Sequence, residues 1–182
     1  MTREQFQEKC IVRRLSSDYI VNSFDCNDED LNDFIINEAS LYHKALLSIT
    51  YIVEDKSTKS VIAYFSLAND KISISDFENK SDFNRFRKHK FVNEKRLRSY
   101  PAIKIGRLAI ASSAQHQSIG TYLLEFIEDY FLLDNKSGCR FVTVDAYAYA
   151  IPFYIKNGYQ FLNNDDEDSR TRVMYFDLAS LL

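Results

Sequence analysis

Two stretches of this 182-residue chain carry residue types that could do chemistry together. The first, Ile105-Gly-Arg-Leu-Ala-Ile-Ala-Ser-Ser-Ala-Gln-His-Gln-Ser-Ile-Gly-Thr-Tyr-Leu-Leu124, reads as an apolar strand, a short polar loop and a glycine that opens an amphipathic helix. A helix entry leaves backbone N–H groups without intrahelical partners and carries the positive end of the helix dipole, so it suits a diphosphate. The second, Asp145-Ala-Tyr-Ala-Tyr-Ala-Ile-Pro-Phe-Tyr-Ile-Lys-Asn-Gly-Tyr159, follows about thirty residues later and sets Tyr154 four residues ahead of a glycine turn. A phenol there is a proton carrier for a leaving group. One anion cradle and one proton donor in a single small domain are the expectation.

The elements that must position them follow from periodicity. Cys10 to Leu15 alternates weakly and gives a first strand. Asp25 or Asn27 is set to cap a helix whose apolar face (Leu31, Phe34, Ile35, then Ala39, Leu41, Tyr42, Ala45) runs to about Leu46 with a break near Asn37. Ser48–Val53 and Ser60–Leu67 are β-branched and aromatic runs across the polar turn 54–59, which reads as a hairpin. Residues 69–100 are polar and partly helical. Ala102–Ile110 is a strand, Ile119–Leu133 an amphipathic helix, and Phe141–Asp145 a buried strand. Tyr149–Asn157 is a short helix with Gly158 as its C′ residue, and Tyr159–Leu162 pairs with Arg172–Asp177. The expected class is α/β (α+β): a mixed, mostly antiparallel sheet of six to seven strands flanked by about four helices.

Composition bounds the rest. With 14 Phe and 12 Tyr the chain can bury a core, and a length of 182 residues fits one domain. The net charge of −3 argues against a molecule that is basic all over. Cys10, Cys26 and Cys139 have no CxxC spacing, so neither a metal centre nor a disulfide framework is implied, and Cys139 reads as a small buried hydrophobe. The N-terminus has no basic-then-apolar pattern and no apolar run approaches about 18 residues, which predicts a soluble cytoplasmic protein without membrane contact.

Gln115-His-Gln-Ser-Ile-Gly120 resembles the Gln/Arg-x-x-Gly-x-Gly/Ala pyrophosphate loop of the GCN5-related N-acetyltransferases (GNAT), with Ser118 in place of the middle glycine, and Phe24-Asp-Cys with Leu31-Asn-Asp-Phe34 resembles the start of a subgroup that includes aminoacyl-tRNA-acetylating toxins. The resemblance implies acetyl-CoA as cosubstrate, no metal, and attack of a primary amine directly on the thioester. It implies a cradle of Gln115, His116, Gln117, Ser118, Ile119, Gly120 and Thr121, and pantetheine contacts from the backbone of Leu108, Ala109 and Ile110. It also gives Tyr154 the part of general acid to the CoA thiolate and places an oxyanion at an N–H of 108–110. An asparagine often seven residues before the family tyrosine is Tyr147 here. A non-glycine residue at position 118 is acceptable if φ stays negative, and the serine keeps the loop's N–H donors.

Plainer readings stand beside these. Gln115 and Gln117 contribute through backbone donors, and His116 is a solvated loop residue. Tyr147, Tyr149 and Phe153 suit packing better than Tyr154 does. The base is not readable: Glu54 and Asp145 are candidates, and a structural role is favoured for both.

Two charge features bear on the acceptor. Lys80 to Arg98 holds eight Lys/Arg with Phe83, Phe86, Phe91 and Leu97 interleaved, read either as a basic face for RNA or as a solvated amphipathic insertion, the second being favoured. Asp165-Asp-Glu-Asp168 is either a steering patch for a cationic amine or an ordinary acidic tip. A small molecule or protein amine is preferred over aminoacyl-tRNA. A homodimer, a small antitoxin-like partner, a binding module without catalysis and a degenerate CoA binder stay open.

Overall fold

The computed structural model describes residues 1–88, 90–91, 97–133, 137–164, 166–167 and 169–182. Among these residues seven strands, β1 (Cys10–Arg14), β2 (Ile49–Asp55), β3 (Val61–Ser73), β4 (Ser99–Ile110), β5 (Phe141–Tyr147), β6 (Gln160–Phe161) and β7 (Thr171–Asp177), hydrogen-bond in the order β1-β2-β3-β4-β5-β7-β6. The pairs β1·β2, β2·β3, β5·β7 and β6·β7 are antiparallel. The helices are α1 (Arg3–Lys9), α2 (Glu29–Asp33), α3 (Ala39–Lys44), α4 (Lys80–Arg87), α5 (Ile119–Leu132) and α6 (Ile151–Lys156). The expected mostly antiparallel sheet of six to seven strands with flanking helices is present. Helix α1 was not foreseen; it is set by a capping box in which Thr2 and Gln5 bond each other's backbone N–H groups. No helix among the described residues is long and apolar enough to cross a membrane.

Two compact units make up the chain: residues 1–68 with 105–129, and residues 69–104 with 130–182. In the first, the β2–β3 hairpin forms as expected and buries Ile52, Val53, Ala63, Tyr64 and Phe65. Helix α5 turns Ile119, Leu123, Leu124 and Ile127 inward at helical spacing, each at most 1% exposed, and burial of such a side chain stabilises by about 2 kcal/mol. The helical arm after Phe24 differs from the sequence reading at its start. Asp28, not Asp25 or Asn27, is the N-cap, its carboxylate accepting the Leu31 N–H at 3.1 Å. The break near Asn37 is a π-helical turn, Phe34–Glu38, where the Ala39 N–H reaches back to the Phe34 carbonyl. That extra residue lets both Phe34 and Ile35 point inward.

In the second unit, an aromatic core gathers Phe77, Phe83, Tyr100, Phe141 and Tyr175, with Phe86 and Phe91 packed against it. Phe91 stacks on Tyr100 with ring centres 3.7 Å apart. The phenylalanines interleaved with the basic residues are thus core residues, while Lys80, Arg85 and Lys88 are exposed. His89 and residues 92–96 of that segment lie outside the described residues. β3 continues to Ser73 and β4 begins at Ser99, so extended strands occupy both ends of the polar 69–100 stretch.

Helix α6 is closed by a Schellman turn. The Gly158 N–H donates to the Ile155 carbonyl and the Tyr159 N–H to the Tyr154 carbonyl, both at 3.0 Å, with Gly158 at φ +84°. β6 and β7 pair as predicted.

Candidate active site

The loop after β4 is held on several sides. The Ala111 N–H donates to the Ile62 carbonyl and the Ser112 N–H to the Asp25 carbonyl, each at 2.8 Å. A short 3-10 turn, Ser112–Ala114, follows, and the Gln115 side-chain amide then reaches the carbonyls of Ile110 at 3.1 Å and Cys26 at 3.3 Å. Gln115 therefore acts inside the protein through its side chain, which the sequence reading passed over in favour of its backbone.

His116 and Ser118 adopt φ of +61° and +64°. The condition of negative φ at Ser118 is not met: the serine occupies the left-handed conformation that a glycine would take without strain. The reason is geometric, since the chain must turn sharply between a loop tied to β4 and the first turn of α5. The Tyr122 N–H donates to the Ser118 carbonyl at 3.2 Å, which makes Ser118 the boundary of the helix. The N–H groups of Ile119, Gly120 and Thr121 precede that bond and have no partner among the described residues. Three free donors at the positive end of a 14-residue helix, beside alternating left-handed backbone, form a nest that fits a diphosphate. The His116 and Ser118 side chains are exposed, Gln115, Gln117 and Thr121 half-buried, and Ile119 and Gly120 buried.

Leu108, Ala109 and Ile110 are the last three residues of β4, with Ala109 buried and the other two half-buried. One lone pair of the Ile110 carbonyl is already taken by Gln115.

Tyr154 is buried on α6, its ring set between those of Phe153 and Tyr159 at 5.1 and 5.2 Å. Here the sequence reading is corrected. Tyr149 is 73% exposed and Tyr147 and Phe153 half-buried, so Tyr154 is the one of the four that packs inward. Burial, with a smaller contribution from Tyr149, pushes its phenol above the usual tyrosine range. The proton stays on throughout neutral pH.

Both candidate bases are engaged. Glu54 accepts Arg13 at 2.6 Å and the Tyr19 hydroxyl at 2.5 Å from one carboxylate oxygen. Asp145 pairs with Lys104 at 2.5 Å. In the acidic tip, of which Asp165 and Asp168 lie outside the described residues, Asp166 binds the Arg172 guanidinium at 2.7 Å and the Val173 N–H at 2.5 Å. Cys139 is half-buried rather than buried, its thiol pushed up to about 11 by burial.

The sequence also missed Arg107. Its guanidinium lies 3.7 Å from the centre of the Phe34 ring and 5.3 Å from that of Tyr42, with Glu38 at 3.9 Å. A cation within an apolar strand was the one signal in the sequence, and it does not identify Phe34 as the partner.

A family model described as an acetyltransferase (GNAT) domain matches residues 83–161. None of the curated proteins matches in sequence. The fold is similar to that of a solved bacterial toxin, at 14% identity and TM-score 0.77 over 94% of this chain and 92% of that one. It is similar to AtaTR bound with AcCoA, at 23% and 0.74 over 96% of each chain. AtaT complexed with acetyl-methionyl-tRNAfMet gives 22% and 0.72 over 94% of this chain and 96% of that one. At such identities the likeness shows the fold, and it agrees with the match of residues 83–161 to the acetyltransferase (GNAT) domain model.

Proposed function

We propose that the protein transfers an acetyl group from acetyl-CoA to a primary amine. The observation that carries this is the set of three unpartnered amides at Ile119, Gly120 and Thr121, approached through left-handed Ser118. Acetyl-CoA supplies an activated thioester; the chain's own residues hold it, orient it and manage one proton. The amides and the helix dipole grip the diphosphate. The ends of Leu108, Ala109 and Ile110 offer backbone groups to the pantetheine arm, with an N–H there for the carbonyl oxygen of the thioester. Tyr154, kept protonated by burial, gives its proton to the sulfur as the C–S bond breaks. Glu54 and Asp145 are held in ion pairs, which favours structural roles for them and leaves deprotonation of the amine to water.

Acetyl-CoA should raise the melting temperature by several degrees at saturating concentration. It should also release free thiol when an acceptor amine is added. No shift at millimolar cofactor counts decisively against the reading.

A second reading makes the acceptor the amine of an aminoacyl-tRNA. Two things support it: the likeness to AtaT, solved with an acetylated tRNA, and the exposed Lys80, Arg85 and Lys88 of the α4 segment. On this reading a small antitoxin-like partner is expected too. Retardation of bulk tRNA with a steep salt dependence supports it, and transfer to small amines with no tRNA binding excludes it.

A further inference from the structure

The segment from Phe24 to Phe34 is not used by the chemistry above, yet it makes an unbroken chain of hydrogen bonds to the loop proposed to hold the diphosphate. The Asn32 side chain, on α2, sits at its centre. Its oxygen accepts the Cys26 N–H at 2.9 Å and the Cys26 thiol at 3.2 Å, and its amide donates to the Asp25 carboxylate at 3.1 Å. The same carboxylate oxygen accepts the Asn27 N–H at 2.9 Å, with Asn27 at φ +66°. These two donors hold the Asp25 carboxyl below its usual range.

The turn so fixed presents two carbonyls in the opposite direction. The Asp25 carbonyl takes the Ser112 N–H at 2.8 Å, and the Cys26 carbonyl takes the Gln115 amide at 3.3 Å. Gln115 immediately precedes the left-handed His116. The far end of the segment is anchored as well: the Tyr64 hydroxyl donates to the Leu31 carbonyl at 2.7 Å, and the Tyr64 ring lies against both Phe24 and Phe34.

We propose that Asn32 is a positioning residue for the cofactor. Through the Asp25–Cys26 turn and Gln115 it holds the 111–118 loop in the shape that leaves the α5 amides free for a diphosphate. The side-chain hydrogen bonds of Asn32 go to Cys26 and Asp25, and on this proposal it does not touch the ligand. It fixes the carbonyls to which the loop is tied, and without it the loop relaxes from its left-handed conformation and the amides lose their common aim. The proposal rests on the reading that this loop binds acetyl-CoA.

Calorimetric titration of CoA into wild type, Asn32→Ala, Gln115→Ala and the double variant tests it. Each single change is expected to weaken CoA about tenfold, the loss of one or two hydrogen bonds. The double variant should be no weaker than either single one, because both cut one path. Asn32→Asp tests the same lock without deleting atoms: it sets a second carboxylate against that of Asp25 and should weaken CoA at least as much as Asn32→Ala does. Lower melting temperatures with unchanged CoA affinity overturn the proposal, and so do additive losses or an Asn32→Asp variant that binds CoA as wild type does. A wild type that takes no CoA overturns the cofactor reading itself.

Discussion

A side chain at Gly158 would stand 3.1 Å from the Phe176 ring, and the backbone there has φ +84°. The glycine is required twice, once by the left-handed turn that closes α6 and once by the aromatic wall of β7. Gly158→Ala should therefore cost about 2 kcal/mol, read as a lower urea midpoint. Because this turn sets the end of the helix carrying Tyr154, turnover should fall along with stability. An unchanged midpoint would show that the turn adopts another conformation in solution.

Ser118 poses the opposite case, a side chain where a glycine would be at ease. Ser118→Gly removes left-handed strain and should stabilise by about 1 kcal/mol, partly offset by the freer unfolded chain. CoA binding should be kept. Ser118→Val, β-branched and ill suited to positive φ, should weaken CoA about tenfold while the rest of the fold persists. Thermal melting and calorimetry read the two effects separately, and equal CoA affinity in both variants would mean that the loop conformation does not govern binding.

Tyr154→Phe removes one hydroxyl from a buried ring and keeps its packing against Phe153 and Tyr159. Turnover should drop about a hundredfold or more, with acetyl-CoA affinity held within about twofold. A mutant as fast as wild type would take the general acid away from this residue.

Glu128, 8% exposed on α5, has its carboxyl pushed up to about 7 by burial and, less strongly, by Glu125 and Asp129. Its folded pKa lies above the ordinary 4.5, so the folded state holds the proton more tightly. The stability linked to that proton is fully present at pH below the ordinary value and is lost as pH rises toward 7 and beyond. Glu128→Gln should thus raise the melting temperature by about 3 °C at pH 8 and leave it nearly unchanged at pH 4.5. Equal gains at both pH values would point to packing instead of charge.

Most of the extended and helical elements, α1 apart, were legible because each has a period that survives in one dimension. β-branched runs fixed the β2–β3 hairpin, the 3.6-residue spacing of Ile119, Leu123 and Ile127 fixed α5, and Gly158 marked the end of α6. The glycine-led entry of α5 and the short helix that carries Tyr154 were legible for the same reason, as local patterns. What stayed hidden was contact between residues far apart in the chain. Nothing in the sequence shows that Gln115 reaches the carbonyl of Cys26, that Asn32 fixes that carbonyl, or that Arg107 lies on Phe34. Nor does residue type announce that Ser118 takes the conformation of the glycine it replaces, because φ there is imposed by ties on both sides of the loop. Local propensity chose the elements. Burial and long-range hydrogen bonding, which exist only once the chain has closed on itself, decided which tyrosine packs inward and which amides are left free.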